Sequence, residues 1–181
     1  MTERATLAGG CFWCIEAAMK ELEGVESVTA GYAGGSVPDP TYEQVSTGET
    51  GHAESVRVEY DETALSFEDL LAVFFRIHDP TTLDREGPDV GSQYRSAIFT
   101  HDDDQRQTAT RFIERLEAAD AYGGDAIVTE VEPLDAFYEA EEHHQDYYEK
   151  NPGDRYCSVH AEPKVQTVRE EFGERTATAE D

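Results

Sequence analysis

Two periods in the placement of apolar residues predict the secondary structure of this chain. Alternation of apolar and polar residues is typical of half-buried strands, and apolar residues three or four positions apart are typical of helices. The predicted strands cover residues 4–8, 25–31, 53–60, 95–100 and 126–131, and the predicted helices cover 15–22, 66–77, 102–120 and 140–150. The first six elements follow the order of a split βαβ unit. We therefore predict an α+β fold, a two-layer sandwich with a ferredoxin-like split βαβ core and a mixed, mainly antiparallel sheet.

Long segments without periodicity separate some of these elements. Residues 36–52 are rich in Pro, Gly, Ser and Thr, with one short helical turn predicted after Thr41, and residues 78–94 form a second loop. Loops of this length in a compact domain are usually functional or disordered, and the periodic elements on either side of residues 78–94 favour a function. The periodic placement of apolar residues weakens after Arg155. We therefore predict an irregular C-terminal tail that is disordered over residues 173–181. Residues 1–172 are predicted to form a single catalytic domain.

The charge of the chain is extreme and limits its partners. Among 181 residues, 40 are acidic and 14 basic, which gives a formal net charge of −26. Such a surface repels nucleic acid and anionic lipid, and it favours a monomer. The basic residues are 11 arginines and only 3 lysines. This composition suggests a halophile-like surface that keeps the protein soluble in concentrated salt, where ions screen the self-repulsion.

The sequence shows no sign of secretion or membrane insertion. No stretch approaches the ~20 apolar residues that cross a bilayer, and the N-terminal sequence MTERATLAGG lacks the basic and apolar regions of a signal peptide. Three cysteines are too few for a disulfide-stapled secreted domain. We expect a soluble cytoplasmic protein.

The motif CFWC places Cys11 at a predicted turn from a strand into a helix. Gly9 and Gly10 allow the backbone to turn tightly before it. A thiol at a helix N-terminus loses its proton more readily, and the thiolate is the reactive form. The alternative is that Cys11 is a small buried core residue. The two glycines before it, and the aromatic residues and second thiol after it, favour a chemical role.

The Cys-x-x-Cys spacing of Cys11 and Cys14 leaves several functions open. It is found in disulfide oxidoreductase pairs, in half of a zinc site, and in a nucleophile with a neighbouring thiol. A structural zinc needs more ligands, yet there is no second Cys-x-x-Cys, and the adjacent His143 and His144 point apart on a helix. A general thiol–disulfide oxidoreductase is therefore the stronger alternative, and a non-catalytic zinc or interaction module is a third.

Several residues outside this motif have side chains suited to catalysis. Glu54 lies at the mouth of a strand; if it faces the interior, burial raises its pKa and lets it donate a proton, whereas an exposed edge position would leave it inert. Tyr42 and Tyr94 can each donate a hydrogen bond to a substrate oxygen or simply cover the core. Asp89 can hold such a donor or form an Asx turn. Cys157, isolated in a polar tail, suits a resolving thiol that attacks an oxidised nucleophile.

Five sequence blocks connect these residues to a known family. In chain order they are GGCFWCIEAA, GYAGGSVPDPTYEQVSTGETGHAESVRVEYD, FFRIHDPTT, GPDVGSQYRSAIF and EEHHQDYYEKNP. Together they resemble the peptide methionine sulfoxide reductases of the A type. The resemblance implies a peptide-methionine (S)-S-oxide reductase, which reduces the S epimer of methionine sulfoxide, in proteins or free. It also implies an α+β fold, thioredoxin (or dithiothreitol) as the external reductant, and no metal or organic cofactor.

The resemblance assigns roles around the nucleophile. Cys11 of GCFW is the nucleophile, and Phe12 and Trp13 form the apolar pocket for the methyl group of the substrate. Attack leaves Cys11 as a sulfenic acid, and Cys157 is the expected resolving cysteine that turns it into a disulfide. Many family members have glycine where this chain has Cys14, so Cys14 is an alternative resolving thiol. Its position three residues away on a helix start constrains disulfide geometry, which favours Cys157.

The resemblance also assigns roles around the sulfoxide oxygen. Glu54 of GHAE protonates this oxygen, and Tyr42 of PTY and Tyr94 of QYR hydrogen-bond to it. Asp89 of the GPDVG loop supports the cluster. Val90 stands where the family pattern leads us to expect histidine, which changes the surroundings of Asp89 but not the expected reaction.

Overall fold

A computed structural model describes residues 2–172. It contains one large sheet with helices packed against it. Residues 173–181, for which the sequence predicts disorder, lie outside the described residues. The strands are β1 (Thr2–Gly9), β2 (Val25–Ala33), β3 (Ala53–Asp61), β4 (Arg85–Glu86), β5 (Asp89–Val90), β6 (Ser96–Thr100), β7 (Glu130–Pro133) and β8 (Phe137–Glu139). The helices are α1 (Phe12–Met19), α2 (Tyr42–Ser46), α3 (Phe67–Ile77), α4 (Asp103–Ala118), α5 (Tyr147–Lys150) and α6 (Glu162–Glu171).

The large sheet has the predicted split βαβ arrangement. Its six strands lie in the order β7-β6-β1-β3-β2-β8, and β4 and β5 form a separate small hairpin. All neighbours in the large sheet are antiparallel except β6 and β7, which are parallel. Strand β3 therefore separates β1 from β2, the two strands that α1 connects. The predicted α+β fold with a mixed, mainly antiparallel sheet is confirmed.

The core lies between the sheet and the helices. At its centre Leu7 of β1 faces Val56 of β3 and Ile98 of β6, and all three side chains are buried. Helix α3 begins with a capping box in which Ser66 and Asp69 bond each other's backbone N–H at 3.0 Å. Helix α1 is different, because seven of its eight residues are buried. A helix covered on all sides belongs to the interior, and here the sheet together with α3, α5 and α6 packs against α1.

Two predicted elements near residue 140 differ in the structure. The predicted helix over 140–150 is broken into a 3₁₀ turn, Glu142–His144, and the short α5. The break comes where the Gln145 side chain bonds both backbone groups of Ala30 on β2, at 2.8 and 2.9 Å, which pulls the chain off a helical path. The predicted strand over 126–131 begins only at Glu130, and β8 adds an unpredicted edge strand beside β2.

The expectation of an irregular segment after Arg155 is wrong for residues 157–171. A single π-helical turn, Cys157–Ala161, leads directly into α6. Only Val165 and Val168 of α6 are buried, so the apolar pattern in this charged helix was too sparse to predict it. Lys164 anchors α6 by an ion pair with Glu86 at 2.9 Å. Among the described residues, no helix has the length and apolar character needed to cross a membrane.

Candidate active site

Cys11 lies between β1 and α1, at the predicted turn. It is the N-cap residue of α1, with extended backbone angles, and its carbonyl oxygen accepts a hydrogen bond from the N–H of Cys14 at 3.1 Å. Gly10 makes the turn with a φ of 101°, and a Cβ atom there would lie 2.4 Å from the Cγ of Glu86. The turn therefore requires glycine on both conformational and steric grounds.

The Cys11 thiol is held in its protonated form. Burial raises its pKa well above the usual value, and the neighbouring Cys14 thiol and the charge of Glu54 raise it further, whereas the N–H of Trp13 lowers it. The sequence argument that a helix N-terminus makes this thiol acidic is therefore wrong for the substrate-free protein. Desolvation and a neighbouring acidic group outweigh the helix dipole, because each disfavours the thiolate.

Of the two positions that the sequence left open for Glu54, buried or at an exposed edge, the structure has the buried one. Glu54 lies on β3 opposite Tyr32 of β2, and it is 2% exposed. Its Oε1 atom accepts a hydrogen bond from the N–H of Phe12 at 3.1 Å. Burial raises the pKa of Glu54 to about 8, the charge of Asp89 also raises it, and the Phe12 N–H lowers it. A protonated carboxyl group is thus fixed beside the residue that follows Cys11.

Both predicted tyrosines lie near this carboxyl group. Tyr42 begins α2, after a capping box on Thr41, and burial together with the charge of Glu54 raises its pKa to about 12. Tyr94 ends a 3₁₀ turn, and its pKa is raised by burial and then by the charges of Glu54, Tyr42 and Asp89. Both phenols therefore keep their protons at neutral pH and are hydrogen-bond donors.

Two aromatic residues follow Cys11 and have different surroundings. Phe12 is buried and packs on Tyr42, with ring centroids 6.2 Å apart. Trp13 is half-buried and lies parallel to Tyr147, with centroids 3.7 Å apart. Its Nε1–H donates to Nδ1 of His144 at 3.2 Å. Since Nδ1 accepts, the neutral His144 carries its proton on Nε2, which has no hydrogen-bond partner among the described residues.

The structure brings the three cysteines together. Cys11, Cys14 and Cys157 are buried in one apolar cluster with Ala161, and all three are free thiols. Cys157 reaches the cluster because the π-helical turn folds back over α1, with the Cys157 N–H donating to Asp154 at 3.0 Å. Burial and the charge of Asp154 raise the pKa of Cys157 to about 12. The expectation that Cys157 lies in an irregular polar tail is therefore wrong, because the residue is buried in a helical turn.

A cavity of about 170 Å³ opens beside the first two cysteines. Its lining includes Cys11, Cys14, Asp89, Tyr156 and Lys164. Asp89 accepts a hydrogen bond from the Tyr156 hydroxyl. The sequence predicted that Asp89 holds the phenol of Tyr42 or Tyr94, but in the structure the phenol that it binds is that of Tyr156. Burial raises the pKa of Tyr156 far above its usual range.

Sequence reasoning gave no role to three aromatic residues at this site: His144, Tyr147 and Tyr156. They contact Trp13 from a part of the chain more than 120 residues away. For His144 and Tyr147 the signal was the block EEHHQDYYEKNP, but the predicted continuous helix pointed its side chains in directions that the break at Asp146 changes. Tyr156 lies outside this block. Within residues 2–172, no group of three His, Cys, Asp or Glu side chains is arranged to hold a metal ion.

Comparison with known proteins gives one consistent result. The profile of a family described as peptide methionine sulfoxide reductase matches residues 3–176. The chain is 63% identical over 175 residues to the peptide methionine sulfoxide reductase MsrA of Halobacterium salinarum, which covers 97% of this chain and 98% of that protein. The reduced form of Mxr1 from Saccharomyces cerevisiae has a TM-score of 0.81 at 36% identity, covering 88% of this chain and 91% of that chain. Mxr1 in complex with Trx2 has a TM-score of 0.57 at 27% identity, covering 81% of this chain and 84% of that chain.

Proposed function

This chain belongs to the peptide methionine sulfoxide reductase family, and we propose that it reduces methionine S-sulfoxide to methionine by attack of Cys11 on the sulfoxide sulfur. One observation carries the assignment of residues: the carboxyl group of Glu54, with a pKa of about 8, bonds the N–H of Phe12, the residue after Cys11. A cysteine on the turn before α1 and a protonated acid on β3 are therefore held close to each other. The alternative, a general thiol–disulfide oxidoreductase, transfers no oxygen, so it has no leaving oxygen to protonate.

The first step transfers oxygen from the substrate to Cys11. Sulfoxide oxygen is a poor leaving group, so attack on sulfur requires a proton donor for that oxygen. Glu54 donates this proton as the bond between the Cys11 sulfur and the substrate sulfur forms. The S–O bond of the substrate then breaks and the oxygen forms a new bond to the Cys11 sulfur. The bond between the two sulfur atoms breaks as methionine leaves, so Cys11 remains as a sulfenic acid. The substrate sulfur is reduced by two electrons and Cys11 is oxidised by two, while the thiol proton of Cys11 restores the proton that Glu54 gave up.

Neutral donors around Glu54 support this step. Tyr42 and Tyr94 keep their hydroxyl protons because burial and nearby acidic groups raise their pKa. We assign them hydrogen bonds to the sulfoxide oxygen, which strengthen as negative charge develops there. Asp89 raises the pKa of Glu54 and accepts a bond from Tyr156, which gives it a supporting role on both counts.

The methyl group of the substrate needs an apolar contact, and we assign it to Phe12 and Trp13. Trp13 is only half-buried and lies two residues from the nucleophile, so one part of its surface is open to a ligand. Phe12 forms the deeper part of the same region beside Tyr42. Cys11 must also face the sulfur for attack, so the methyl group, the oxygen at Glu54 and the direction of attack together leave only one arrangement of substituents at sulfur. This accounts for a preference for a single epimer.

The second step regenerates the nucleophile through a disulfide. A thiol attacks the Cys11 sulfenic acid, an S–S bond forms, and the oxygen leaves as water. Cys157 and Cys14 both pack against Cys11. We assign the step to Cys157, because its π-helical turn contains one extra residue and is less constrained than the first turn of α1, which carries Cys14. An external dithiol then reduces the disulfide.

Single cysteine variants test the resolving step. In Cys157→Ser, one equivalent of methionine is expected per protein molecule, followed by arrest of turnover with thioredoxin, because the sulfenic acid forms but no disulfide follows. Burst amplitude and steady-state rate measure the two phases. The matched control is Cys14→Ser, which should keep thioredoxin-driven cycling. The opposite result in the two variants would transfer the resolving role to Cys14.

The test of the overall function is an assay that separates the two epimers of methionine sulfoxide. With dithiothreitol as reductant, the wild-type protein is expected to consume the S epimer and leave the R epimer, both in a peptide and as the free amino acid. Activity towards small disulfides without sulfoxide reduction would instead support the thiol–disulfide oxidoreductase alternative.

The partners follow from the same chemistry. We propose oxidised proteins and peptides, and free methionine sulfoxide, as substrates, and thioredoxin as the reductant. The complex of the related Mxr1 with Trx2 supports thioredoxin as the reductant.

No bound cofactor is needed, because thiols supply both electrons. We propose a monomer that acts in the cytoplasm, where thiols stay reduced, which size-exclusion chromatography and cell fractionation would check.

We infer that the acidic surface is adapted to concentrated salt. With a net charge of −26, the folded chain repels itself, and ions weaken that repulsion. The melting temperature is therefore expected to rise between low and molar potassium chloride. Thermal unfolding followed by circular dichroism measures the shift, and equal melting temperatures at both concentrations would contradict the inference.

A further inference from the structure

One buried carboxylate close to the candidate site has no part in the chemistry above. Glu16 lies on α1, three residues after Trp13, and is 1% exposed. Its Oε2 atom accepts a hydrogen bond from the backbone N–H of Asp146 at 3.2 Å. Burial raises the pKa of Glu16 to about 7, while Lys20 and the N–H of Tyr147 lower it. Burying a carboxyl group is costly without partners, so these partners indicate what Glu16 holds in place.

The backbone that Glu16 contacts has an unusual conformation. Asp146 is left-handed, with a φ of 54° and a ψ of 33°, a conformation that non-glycine residues adopt at a cost in free energy. Lys20, the C-cap residue that follows α1, contacts the carboxylate of Asp146 and lies 3.7 Å from that of Glu149. One side chain of α1 and one at its end therefore fix the point at which the chain turns into α5.

The residue that follows this turn covers the tryptophan of the site. The ring of Tyr147 is nearly parallel to the indole of Trp13, with an interplanar angle of 7°. Its hydroxyl group donates to Asp154 at 2.8 Å, and Asp154 in turn accepts the N–H of Cys157. Tyr147 thus connects the turn at Asp146 to both Trp13 and the segment of Cys157. Its orientation depends on the backbone that Glu16 holds.

We propose that Glu16 is a positioning residue for sulfoxide reduction: it holds the backbone at Asp146 and Tyr147 so that Tyr147 fixes the indole of Trp13 in the wall of the substrate pocket. This rests on the proposed function, which places Trp13 against the methyl group of the substrate. Glu16 does not touch the substrate, and its effect is on binding. Only its acceptor oxygen is required, because the groups that it bonds are backbone N–H donors.

Trp13 is the only tryptophan of the chain, so its fluorescence tests this proposal directly. In Glu16→Ala, acrylamide is expected to quench Trp13 more strongly, because Tyr147 no longer covers it. The sulfoxide concentration that gives half the maximal single-turnover rate should rise roughly tenfold, the low end of what the loss of one methylene contact costs in an apolar pocket. The maximal rate should stay near that of wild type.

Three further variants separate positioning from a general structural role. Glu16→Gln keeps an acceptor oxygen and should restore both quenching and half-saturation to wild-type values. The exposed Glu23→Ala on the loop after α1 should change neither. In a Tyr147→Ala background, Glu16→Ala should have no further effect, since it acts through Tyr147. If Glu16→Ala does not fold, Glu16→Met fills the same volume without an acceptor and takes its place.

The outcomes distinguish this proposal from the proposed function. A wild-type protein that reduces no sulfoxide would contradict the proposed function. The role of Glu16 alone would be overturned by a different result: the wild-type protein reduces sulfoxide, and Glu16→Ala changes neither the quenching of Trp13 nor the sulfoxide concentration for half-maximal rate. Additive effects of Glu16→Ala and Tyr147→Ala would also overturn it, because they would show that Glu16 acts by another route.

Discussion

The Cys11→Ser variant is expected to reduce no methionine sulfoxide with any reductant. A hydroxyl group does not form the sulfur–sulfur bond that takes the oxygen, so the loss should be on the order of 10⁶-fold, the scale set by removing a covalent nucleophile. Serine is close to cysteine in size. The hydrogen bond from the N–H of Cys14 to the carbonyl oxygen of Cys11 at the start of α1 does not involve the side chain that is changed. The fold should therefore survive the change.

Cys14→Ser is the matched control for this experiment. It removes a buried thiol from the same turn and the same apolar cluster but leaves the nucleophile, so a single turnover should proceed. Methionine release measured in one turnover, without a recycling reductant, compares the two variants directly. Sulfoxide reduction that persists in Cys11→Ser would disprove the assignment of the nucleophile.

The Glu54→Gln variant is expected to slow the first step by roughly 10²- to 10⁴-fold, the usual contribution of a general acid. Glutamine keeps an oxygen that can accept the N–H of Phe12, so the position of the turn is preserved while the transferable proton is lost. The measurement is the single-turnover rate at saturating sulfoxide. A rate equal to that of wild type would remove Glu54 from the role of acid.

The pH profile gives an independent measurement of the same group. Since Glu54 is active in its protonated form and burial raises its pKa to about 8, the wild-type rate should contain a factor that falls as pH rises through about 8. This factor should be missing in Glu54→Gln. The raised pKa also affects stability: the contribution of Glu54 to the free energy of unfolding is fully present below pH 4.5 and is lost as pH rises from there through about 8. The glutamine variant should therefore be no less stable than wild type at alkaline pH.

The sequence was most informative where one residue pattern determined one local structure. The alternation in β3 predicted the strand, but it left open whether Glu54 is buried or exposed, and the fold buries it. The two glycines before Cys11 predicted the turn, which Gly10 makes with a positive φ. The capping boxes at Thr41 and Ser66 predicted where α2 and α3 begin. In each case the determining residues are close together in the chain.

The features that could not be predicted depend on contacts between distant residues. The helix expected over 140–150 is broken because Gln145 bonds the backbone of Ala30, over 100 positions away. Helix α6 is held by ion pairs with Glu86 and Glu21 rather than by a wide apolar face. The pKa of Cys11 was predicted in the wrong direction, because its burial and the proximity of Glu54 are properties of the folded chain.

The buried state of the three thiols has a consequence for survival of the protein under oxidative conditions. Peroxides and alkylating agents react with thiolates, and their attack follows thiolate content and exposure. Cys11 and Cys157 are both buried, and both have a raised pKa, so the resting protein offers these reagents little to attack. A protein that reverses the oxidation of methionine thereby protects its own thiols from oxidation.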